Sequence, residues 1–504
     1  MSCESKCQAD PSRHHAVVHH TCTKVEEWEK TKFKDPYVYQ YGYGNEFSSE
    51  ALKDALPKLG NTPMRCPYGL YAEQVSGTSF TTPRVHNRRT WIYKIRPSAA
   101  HPPFRKVNDV PELKNKYARM MAEFTEVNPN QLRWKPFPIP EPKAEPIDFL
   151  QGMIAVAGAG DPATKAGCAI YVYCCNDSMR NSAFYSSDGD MLIVPQQTPL
   201  DIQTELGRMR VAPGEFCVIP RGFKFAVKLD APDGRAPARG YICEVYDGHF
   251  IIPDLGPIGA NGLANPRHFA APTAYYENKC FPLPAEGALP TSENFTLFNK
   301  FLGVLHFTNL ETTPFDVVAW AGNYCPFKYD MAMFNTINSV SFDHLDPCTF
   351  TVLTCQTTSP GVAACDFVVF PPRMAVQEDT FRPPYYHRNC MSEFMGNIMG
   401  QYDAKPEGFV PGSASLHSCM SGHGPDAATY QKFSNKETAP SGPIRMSKND
   451  LAFMFESTYI FKLTKWANDP ETQQTEYYKC WMPLKCEFNP SEKVTNLVAD
   501  ALNE

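Results

Sequence analysis

Proline is the residue that most restricts what this chain can fold into. The 504 residues include 46 prolines, spread along the whole length. That is about 9% of the chain, against an average of about 5%. Proline interrupts the interior of a helix, and in sheets it is confined to turns, bulges and edge positions. So much proline favours many short strands over long helices, and we expect a mostly β fold.

Short apolar or alternating runs, separated by Gly, Pro and Asp, support this expectation from about residue 150 onward. Strands at such spacing are typical of a sandwich or barrel. A second strand-rich block follows a Gly- and Pro-rich connector at residues 254–272. One helix is predicted at residues 112–124, where apolar side chains recur at helical spacing. The predicted strands include residues 153–157, 169–174, 191–195, 200–206, 209–211, 216–219, 223–229, 241–246, 349–354, 362–370 and 451–455.

The segment GAGDPA at residues 158–163 matches the glycine pattern of dinucleotide-binding sites. Such a site needs a helix that begins at the glycines and directs its N-terminus at the pyrophosphate. Here another strand-like run follows instead. We therefore interpret the segment as a glycine-rich turn and expect no dinucleotide cofactor.

The charge balance and the hydropathy exclude several kinds of partner. The chain carries 48 basic and 54 acidic residues, a net charge of -6, which offers no basic surface for nucleic acid or an anionic membrane. No apolar run approaches the roughly 18 residues that span a bilayer, and the N-terminus lacks the apolar core of a secretory signal. The 18 cysteines include no C-x-x-C pair, which favours reduced thiols in the cytosol. We expect a cytoplasmic protein with a small-molecule substrate.

Three segments are predicted along the chain. Residues 1–36 form a leader without hydrophobic period, either disordered or, alternatively, a metal-binding tail. Residues 37–300 form an N-terminal domain with a metal-free β-sandwich, and residues 301–504 form a C-terminal catalytic domain. The two halves could be distant copies of one β-barrel. The metal-binding residue types in the leader are Cys3, Cys7, Cys22, His14, His15, His19 and His20.

The most informative segment is FRPPYYHRNCMSEFMG, at residues 381–396. It places His387 six residues before Glu393, an even spacing that puts two strand residues on one face, although a turn between them would serve as well. Downstream, LHSCMSGHGPD holds His417 and His423, again six residues apart. Two imidazoles and a carboxylate, with other coordination positions open, form the facial triad that holds non-heme Fe(II). Spacing alone does not rank His417 against His423 as the third ligand.

The same spacing is typical of cupin barrels, whose first motif is G-x5-H-x-H-x3,4-E-x6-G. His387, Glu393 and Gly400 keep the spacing of that motif, and Asn389 replaces its second histidine. Residues 214–225 match the second cupin motif in part, with a phenylalanine at the ligand position. This pattern favours two cupin-like barrels, of which only the C-terminal one holds a metal.

The chain resembles the homogentisate dioxygenases from about Tyr41 to Phe488. The resemblance implies a non-heme iron, extradiol-type dioxygenase that converts homogentisate and O2 to maleylacetoacetate in tyrosine and phenylalanine catabolism. It also implies a homo-hexamer built as two trimers. Besides the segment at 381–396, the matching strings include YGYGNEFSSEA (41–51), CPYGLYAEQ (66–74), NPNQLRWKPF (128–137), SDGDMLIVPQ (187–196), DLGPIGANGLANPR (254–267), INSVSFDHLDP (337–347) and LAFMFES (451–457).

The resemblance implies which residues hold the metal and which one moves a proton. His387, Glu393 and His423 would ligate Fe(II), leaving three octahedral positions for substrate and O2. His344 lies 43 residues before His387, outside the ligand spacing, and would take the proton of a phenol hydroxyl as the catalytic acid/base. Homogentisate would chelate the metal through a ring oxygen and its acetate side chain.

Substrate contacts are expected for Tyr402, His417 and Asn389, and also for the ligand His423. One position departs from the family: Ala321 stands where a histidine is common, so no role is assigned to it. The leader also lies outside the family pattern.

Two other functions fit the sequence less well. Another cupin reaction, on a phenolic or keto acid, would use the same ligands on a different substrate. A metal-free double cupin that binds ligands or serves structurally would not need them, and the complete His/Glu/His set argues against it. The iron content of the purified protein separates these two classes.

Overall fold

The computed structural model describes residues 35–491 except 255–261, 285–287, 379, 403, 406, 436–437 and 441. The predicted leader lies outside the described residues except for residues 35 and 36. Among the described residues there are 28 strands and two α-helices, α1 (Pro111–Tyr117) and α2 (Ala427–Ser434). No helix in this part of the chain is long and apolar enough to cross a membrane.

The strands follow in chain order. The first sixteen are β1 (Tyr39–Tyr41), β2 (Phe47–Glu50), β3 (Tyr71–Ser76), β4 (Arg89–Lys94), β5 (Arg105–Lys106), β6 (Leu132–Trp134), β7 (Met153–Asp161), β8 (Ala166–Cys175), β9 (Ser182–Ser186), β10 (Asp190–Gln197), β11 (Leu200–Thr204), β12 (Gly207–Val211), β13 (Glu215–Ile219), β14 (Phe225–Leu229), β15 (Ala238–Val245) and β16 (Ala270–Pro272). The others are β17 (Phe295–Phe301), β18 (Val304–Leu310), β19 (Val317–Gly322), β20 (Phe327–Asp330), β21 (Thr351–Gln356), β22 (Ala363–Phe370), β23 (Met374–Ala375), β24 (Ser392–Met399), β25 (Ala414–His417), β26 (Ile444–Arg445), β27 (Leu451–Ser457) and β28 (Lys462–Leu463).

Most of these strands belong to three sheets. The central, nine-stranded sheet has the order β1-β16-β20-β13-β10-β15-β8-β7-β28, and a seven-stranded sheet has the order β12-β11-β14-β9-β17-β18-β5. A six-stranded sheet has the order β21-β22-β27-β24-β25-β6. Two smaller sheets are β2-β19-β4-β3 and β23-β26.

Both faces of the central sheet are covered by a hydrophobic core. Along β8, Ala169 and Tyr171 belong to the core shared with the seven-stranded sheet, whereas Ile170 and Val172 belong to the core shared with the six-stranded sheet. Successive strand residues point to opposite faces, so almost every residue of β8 is buried. This explains why its sequence is a continuous apolar run. The predicted mostly β fold is confirmed.

The six-stranded sheet directs aromatic side chains toward the central sheet. The Phe367 and Phe216 ring centroids are 4.8 Å apart, and those of Tyr241 and Phe453 are 5.0 Å apart. Because neighbouring strand residues alternate between faces, polar residues of β22, β24 and β27 lie on the opposite face. That face carries the candidate site.

Helix α1 is shorter than the helix predicted at residues 112–124. After Tyr117 the chain continues as turns, although most apolar side chains of the predicted face are still buried. The Arg119 carbonyl accepts a 3.0 Å hydrogen bond from the backbone N–H of Ala155 in β7. The apolar spacing therefore reflects packing of this segment against the central sheet, and the strand takes the place of a helical hydrogen-bond partner.

The glycine-rich turn predicted at residues 158–163 is displaced along the chain. Strand β7 continues through both glycines in pairing with β8. The chain reverses at residues 162–165, where Lys165 has left-handed backbone with φ of 52°. A Cβ atom on Gly160 would lie 2.0 Å from the Ala166 carbonyl oxygen, so close strand pairing explains this glycine.

The division expected between residues 300 and 301 stays a prediction. Strand pairing continues past it, because β18 pairs with β5, β19 with β2 and β4, and β20 with β13 and β16. In the other direction, β6 joins the six-stranded sheet and β28 joins the central sheet. The two halves thus exchange strands, which favours a division after β20.

Phe225 occupies the place where the second cupin motif has a ligand. Its side chain is fully buried, and its ring centroid lies 5.6 Å from that of Phe184 and 6.2 Å from that of Phe149. Apolar packing therefore surrounds this position. The metal-free character of the N-terminal sandwich stays a prediction.

Asp35, the first described residue, contacts the folded sheets. Its carboxylate accepts a 2.6 Å hydrogen bond from Lys328 Nζ and a 2.8 Å bond from the Tyr39 hydroxyl. We expect Asp35→Ala to lower the free energy of unfolding by about 1 to 3 kcal/mol, because bonds to charged groups are lost. The shift of the urea-unfolding midpoint measures this effect.

The control for this prediction is the same substitution in a Lys328→Met background. There the cost of Asp35→Ala should be smaller, because the cation that it pairs with is gone. Equal costs in the two backgrounds would show that Asp35 does not act through Lys328.

Candidate metal centre

Three side chains converge beside the six-stranded sheet. His387, Glu393 and His423 each offer one ligand atom, and these atoms all lie within 4.8 Å of one another. Glu393 is held by β24, while the two histidines lie on loops that exchange backbone hydrogen bonds of 2.9 Å and 3.1 Å. His387 and Glu393 therefore do not lie on one strand: His387 lies in the loop that leads into β24, and Glu393 lies in the strand itself.

Backbone carbonyls orient both imidazole rings. His387 Nδ1 lies 2.9 Å from the Tyr385 carbonyl oxygen, and His423 Nδ1 lies 2.9 Å from the Ser421 carbonyl oxygen. A carbonyl oxygen only accepts, so Nδ1 of each ring carries a hydrogen. The Nε2 atoms face the Glu393 carboxylate at 3.5 Å and 2.9 Å. Each Nε2 presents either a second proton or a lone pair to the carboxylate, and lone pairs there require a cation.

Burial and the neighbouring imidazoles shift the pKa of Glu393 in opposite directions. Burial raises its pKa, but the facing imidazoles of His387, His417 and His423 outweigh burial and hold the pKa well below its usual value. The neighbouring Glu393 carboxylate is also the main cause that raises the pKa of His387. The carboxylate is therefore ionised at neutral pH and available as an anionic ligand.

His417 stands behind this group. It ends β25 opposite Glu393, and its ring stacks on that of His423 with centroids 4.1 Å apart. Its Nε2 lies 2.9 Å from the Tyr477 hydroxyl, and its Nδ1 lies 3.9 Å from the Glu393 carboxylate. Burial, followed by the charge of Lys405, lowers the pKa of His417 well below its usual value. The ring is therefore neutral.

Asn389, which replaces the second histidine of the cupin motif, is bonded to Glu393. Its side-chain amide donates to the carboxylate at 2.7 Å, and its Oδ1 accepts from the Met391 N–H at 3.0 Å. With both ends of the amide engaged, Asn389 orients the carboxylate.

A cavity of about 490 Å³ lies beside the cluster. A partly apolar cavity of this volume with a few convergent polar groups is typical of small-molecule sites. Ala321 is not among its lining residues, because it pairs with Ser48 and Trp91 in the β2-β19-β4-β3 sheet. The residues predicted from the sequence that line the cavity are His344, His387, Asn389, Glu393, Tyr402, His417 and His423.

In the sequence, His344 precedes residues 381–396 and Tyr402 follows them, and both residues line the same cavity. His344 Nδ1 lies 2.7 Å from the Leu345 carbonyl oxygen, so this nitrogen carries the hydrogen and Nε2 is the basic atom. The Tyr402 ring packs between Phe370 and Phe409, with centroid distances of 5.9 Å to each. Both rings are thus held by neighbours within the cavity wall.

Two carboxylates in the cavity wall were missed by the sequence reasoning. Glu456 of β27 lies opposite Glu393, and Asp366 of β22 lies opposite Glu456. Three carboxylates therefore stand in one row across three strands. Burial, followed by repulsion from Glu393 and Asp366, raises the pKa of Glu456 to about 7. The available signal was a glutamate that interrupts the apolar run LAFMFES.

Lys405 and Tyr477 were also missed. Lys405 lines the cavity, and its Nζ donates to the Tyr477 hydroxyl at 2.9 Å. The same hydroxyl contacts His417, so one tyrosine connects the lysine to the stacked histidines. The two residues are 72 positions apart and belong to no motif, so no local pattern indicates their contact.

The chain matches known proteins along most of its length. Family models described as homogentisate 1,2-dioxygenase N-terminal and C-terminal match residues 38–331 and 332–488. The homogentisate 1,2-dioxygenase of Drosophila melanogaster is 52% identical over 455 residues, which cover 90% of this chain and 98% of that protein. The one from Dictyostelium discoideum is 53% identical over 451 residues, covering 89% and 97%. The one from Arabidopsis thaliana is 49% identical over 461 residues, covering 92% and 95%.

These matches confirm the resemblance inferred from the sequence. Solved structures match more distantly. The E. coli protein Ylba has a TM-score of 0.26 at 9% identity, covering 67% of this chain and 94% of that one. A Bacillus subtilis oxalate decarboxylase has a TM-score of 0.25 at 9% identity, covering 70% and 85%. Similarities this low bear on neither the site nor its chemistry.

Proposed function

This chain belongs to the homogentisate 1,2-dioxygenase family, and we propose that it is an Fe(II)-dependent, extradiol-type dioxygenase that converts homogentisate and O2 to maleylacetoacetate. The reaction would serve the catabolism of tyrosine and phenylalanine. The small-molecule cavity and the dioxygenase family support a substrate of this class.

The observation that carries the proposal is the convergence of His387, Glu393 and His423. Two imidazole nitrogens and one carboxylate, with the remaining positions open, are the donor set of non-heme Fe(II) oxygenases. Bound there, Fe(II) would supply the redox-active Lewis acid that triplet O2 needs in order to react with a closed-shell aromatic ring. The carbonyls behind both imidazoles and the amide of Asn389 would hold these ligands in place.

His344 would act on protons. Its Nε2 would accept the proton of a ring hydroxyl, which raises the electron density of the ring before oxygen attack. Tyr402 and His417 would position the ring, since both are held by packing and face the cavity. Asn389 would act on the substrate through Glu393, because its amide is already bonded there.

We also propose a cytoplasmic location and a hexamer of two trimers. The fifteen cysteines within the described residues are all free thiols, which suits a reducing compartment. The hexamer is supported only by the family to which the chain belongs.

Oxygen consumption tests the proposed activity. Protein loaded with Fe(II) in the presence of ascorbate should consume O2 with homogentisate faster than with gentisate, catechol or 4-hydroxyphenylpyruvate. An oxygen electrode follows the four reactions. Chelator-treated protein is the control, and Fe(II) should restore its activity. Faster turnover of gentisate than of homogentisate would mean that the substrate has been assigned wrongly.

A further inference from the structure

Lys405 differs from every other buried lysine within the described residues. Lys94, Lys300 and Lys328 each lie within 4.0 Å of two carboxylates. Lys405 is only 7% exposed, yet its Nζ forms a hydrogen bond with the neutral hydroxyl of Tyr477 and no ion pair with any described carboxylate. Among the residues that the structure describes, Lys405 is therefore the one buried ammonium group without a carboxylate partner.

The pKa values of the buried lysines also separate Lys405 from the lysines that have carboxylate partners. Nearby carboxylates raise the pKa of Lys94 and Lys300 despite burial. Burial lowers the pKa of Lys405 to about 8. A buried cation without a counter-ion destabilises the fold. An anion that enters the cavity would compensate the charge of Lys405. Lys94 and Lys300 already have carboxylate partners and would gain little from such an anion.

The position of Lys405 indicates what that anion is. It lines the same cavity as His344 and the His387, Glu393 and His423 cluster. Glu393 acts on Lys405 only at a distance, and a divalent ion bound to that carboxylate would offset its charge. A carboxylate ligand has two oxygens with about four acceptor positions, so it can contact Lys405 and still face the cluster.

We propose that Lys405 binds the carboxylate of the substrate and thereby selects arylacetates over uncharged hydroquinones. The inference deepens the proposed function and rests on it. The rival cation is Arg388, which lines the same cavity but is exposed. A solvent-exposed guanidinium gains little from an ion pair, because water screens the charge. The buried ammonium therefore discriminates more strongly.

Anaerobic calorimetry of the Fe(II)-loaded protein tests this. Under argon no turnover occurs, and homogentisate can be compared with 2-(2,5-dihydroxyphenyl)ethanol, which replaces the carboxylate with a neutral hydroxyl. Lys405→Met should weaken the binding of homogentisate by about 10 to 100-fold, the usual loss for a hydrogen bond between charged groups. The affinity for the alcohol should change much less. Methionine in place of an unpaired cation is expected to leave the fold intact.

Two matched variants serve as controls. Arg133→Met removes a cation that lies 4.2 Å from the centroid of the Tyr477 ring but does not line the cavity, so it should leave the ratio of the two affinities unchanged. Arg388→Met removes the rival. Equal losses for both ligands in Lys405→Met, or a carboxylate-specific loss in Arg388→Met alone, would overturn the inference.

The wild-type protein gives a reading that does not depend on any variant. If it binds homogentisate and the alcohol with equal affinity, Lys405 selects nothing and the inference is wrong. If it turns over homogentisate normally in that case, the proposed function still stands. A wild-type protein that binds neither compound contradicts the proposed function, and the inference falls with it.

Discussion

His423→Ala protein is expected to be purified without iron and to consume no measurable O2 with homogentisate, whereas His417→Ala retains much of its iron and is catalytically weakened. The spacing of these two histidines does not separate them, but their surroundings do. His423 Nε2 lies 2.9 Å from the Glu393 carboxylate and its ligand atom belongs to the convergent set. His417 Nε2 instead lies beside the Tyr477 hydroxyl.

The two roles predict different magnitudes of loss. Removal of one of three protein ligands should empty the site, since two donors are left to hold the metal. Loss of a group that supports a ligand typically costs about 10 to 100-fold in metal affinity or activity. His417 supports His423 by stacking at 4.1 Å, so its removal should fall in that range.

Iron content per chain, measured by mass spectrometry of the metal after removal of loose ions, checks the ranking. His306→Ala is a suitable control, because His306 lies on β18 and does not line the cavity. It should keep wild-type iron. If His417→Ala were iron-free and His423→Ala were loaded, the two roles would be exchanged while the dioxygenase proposal would stand.

The fold class could be predicted because proline and strand periodicity act locally. Residues 169–174 are apolar throughout because both faces of β8 are covered. This burial is therefore visible in the sequence as a continuous apolar run. The end of helix α1 could not be predicted in the same way. It depends on a hydrogen bond between Arg119 and Ala155, and the partner is supplied by a distant strand.

In the candidate site, too, residues that share a local motif could be predicted, and residues that the fold brings together could not. His387 and Glu393 share one short motif, so their relationship is visible in the sequence. Glu456 reaches the cavity through its register opposite Glu393, and register between strands 63 positions apart leaves no local pattern. Lys405 is similar, because a lysine in a loop is usually exposed. Its significance comes from burial without an ion pair to any carboxylate in the described part of the chain, which only the structure reveals.

His344→Ala is expected to retain stoichiometric iron and to lose about 10² to 10⁴-fold in turnover, the usual contribution of a general acid/base. His344 is not one of the residues whose ligand atoms converge. It faces the cavity, with Nδ1 held by the Leu345 carbonyl at 2.7 Å and Nε2 as the basic atom. The variant therefore lacks a proton acceptor while the metal ligands and Lys405 remain in place.

Two measurements separate this role from a structural one. Homogentisate should still bind to His344→Ala under argon with nearly the wild-type affinity, because the groups that hold it are present. Added imidazole should restore part of the turnover, since the cavity of about 490 Å³ has room for the missing ring. The same imidazole should not rescue His423→Ala, whose defect is loss of the metal. Iron loss in His344→Ala would instead make His344 a ligand, and an iron-loaded variant with undiminished turnover would mean that another group moves the proton.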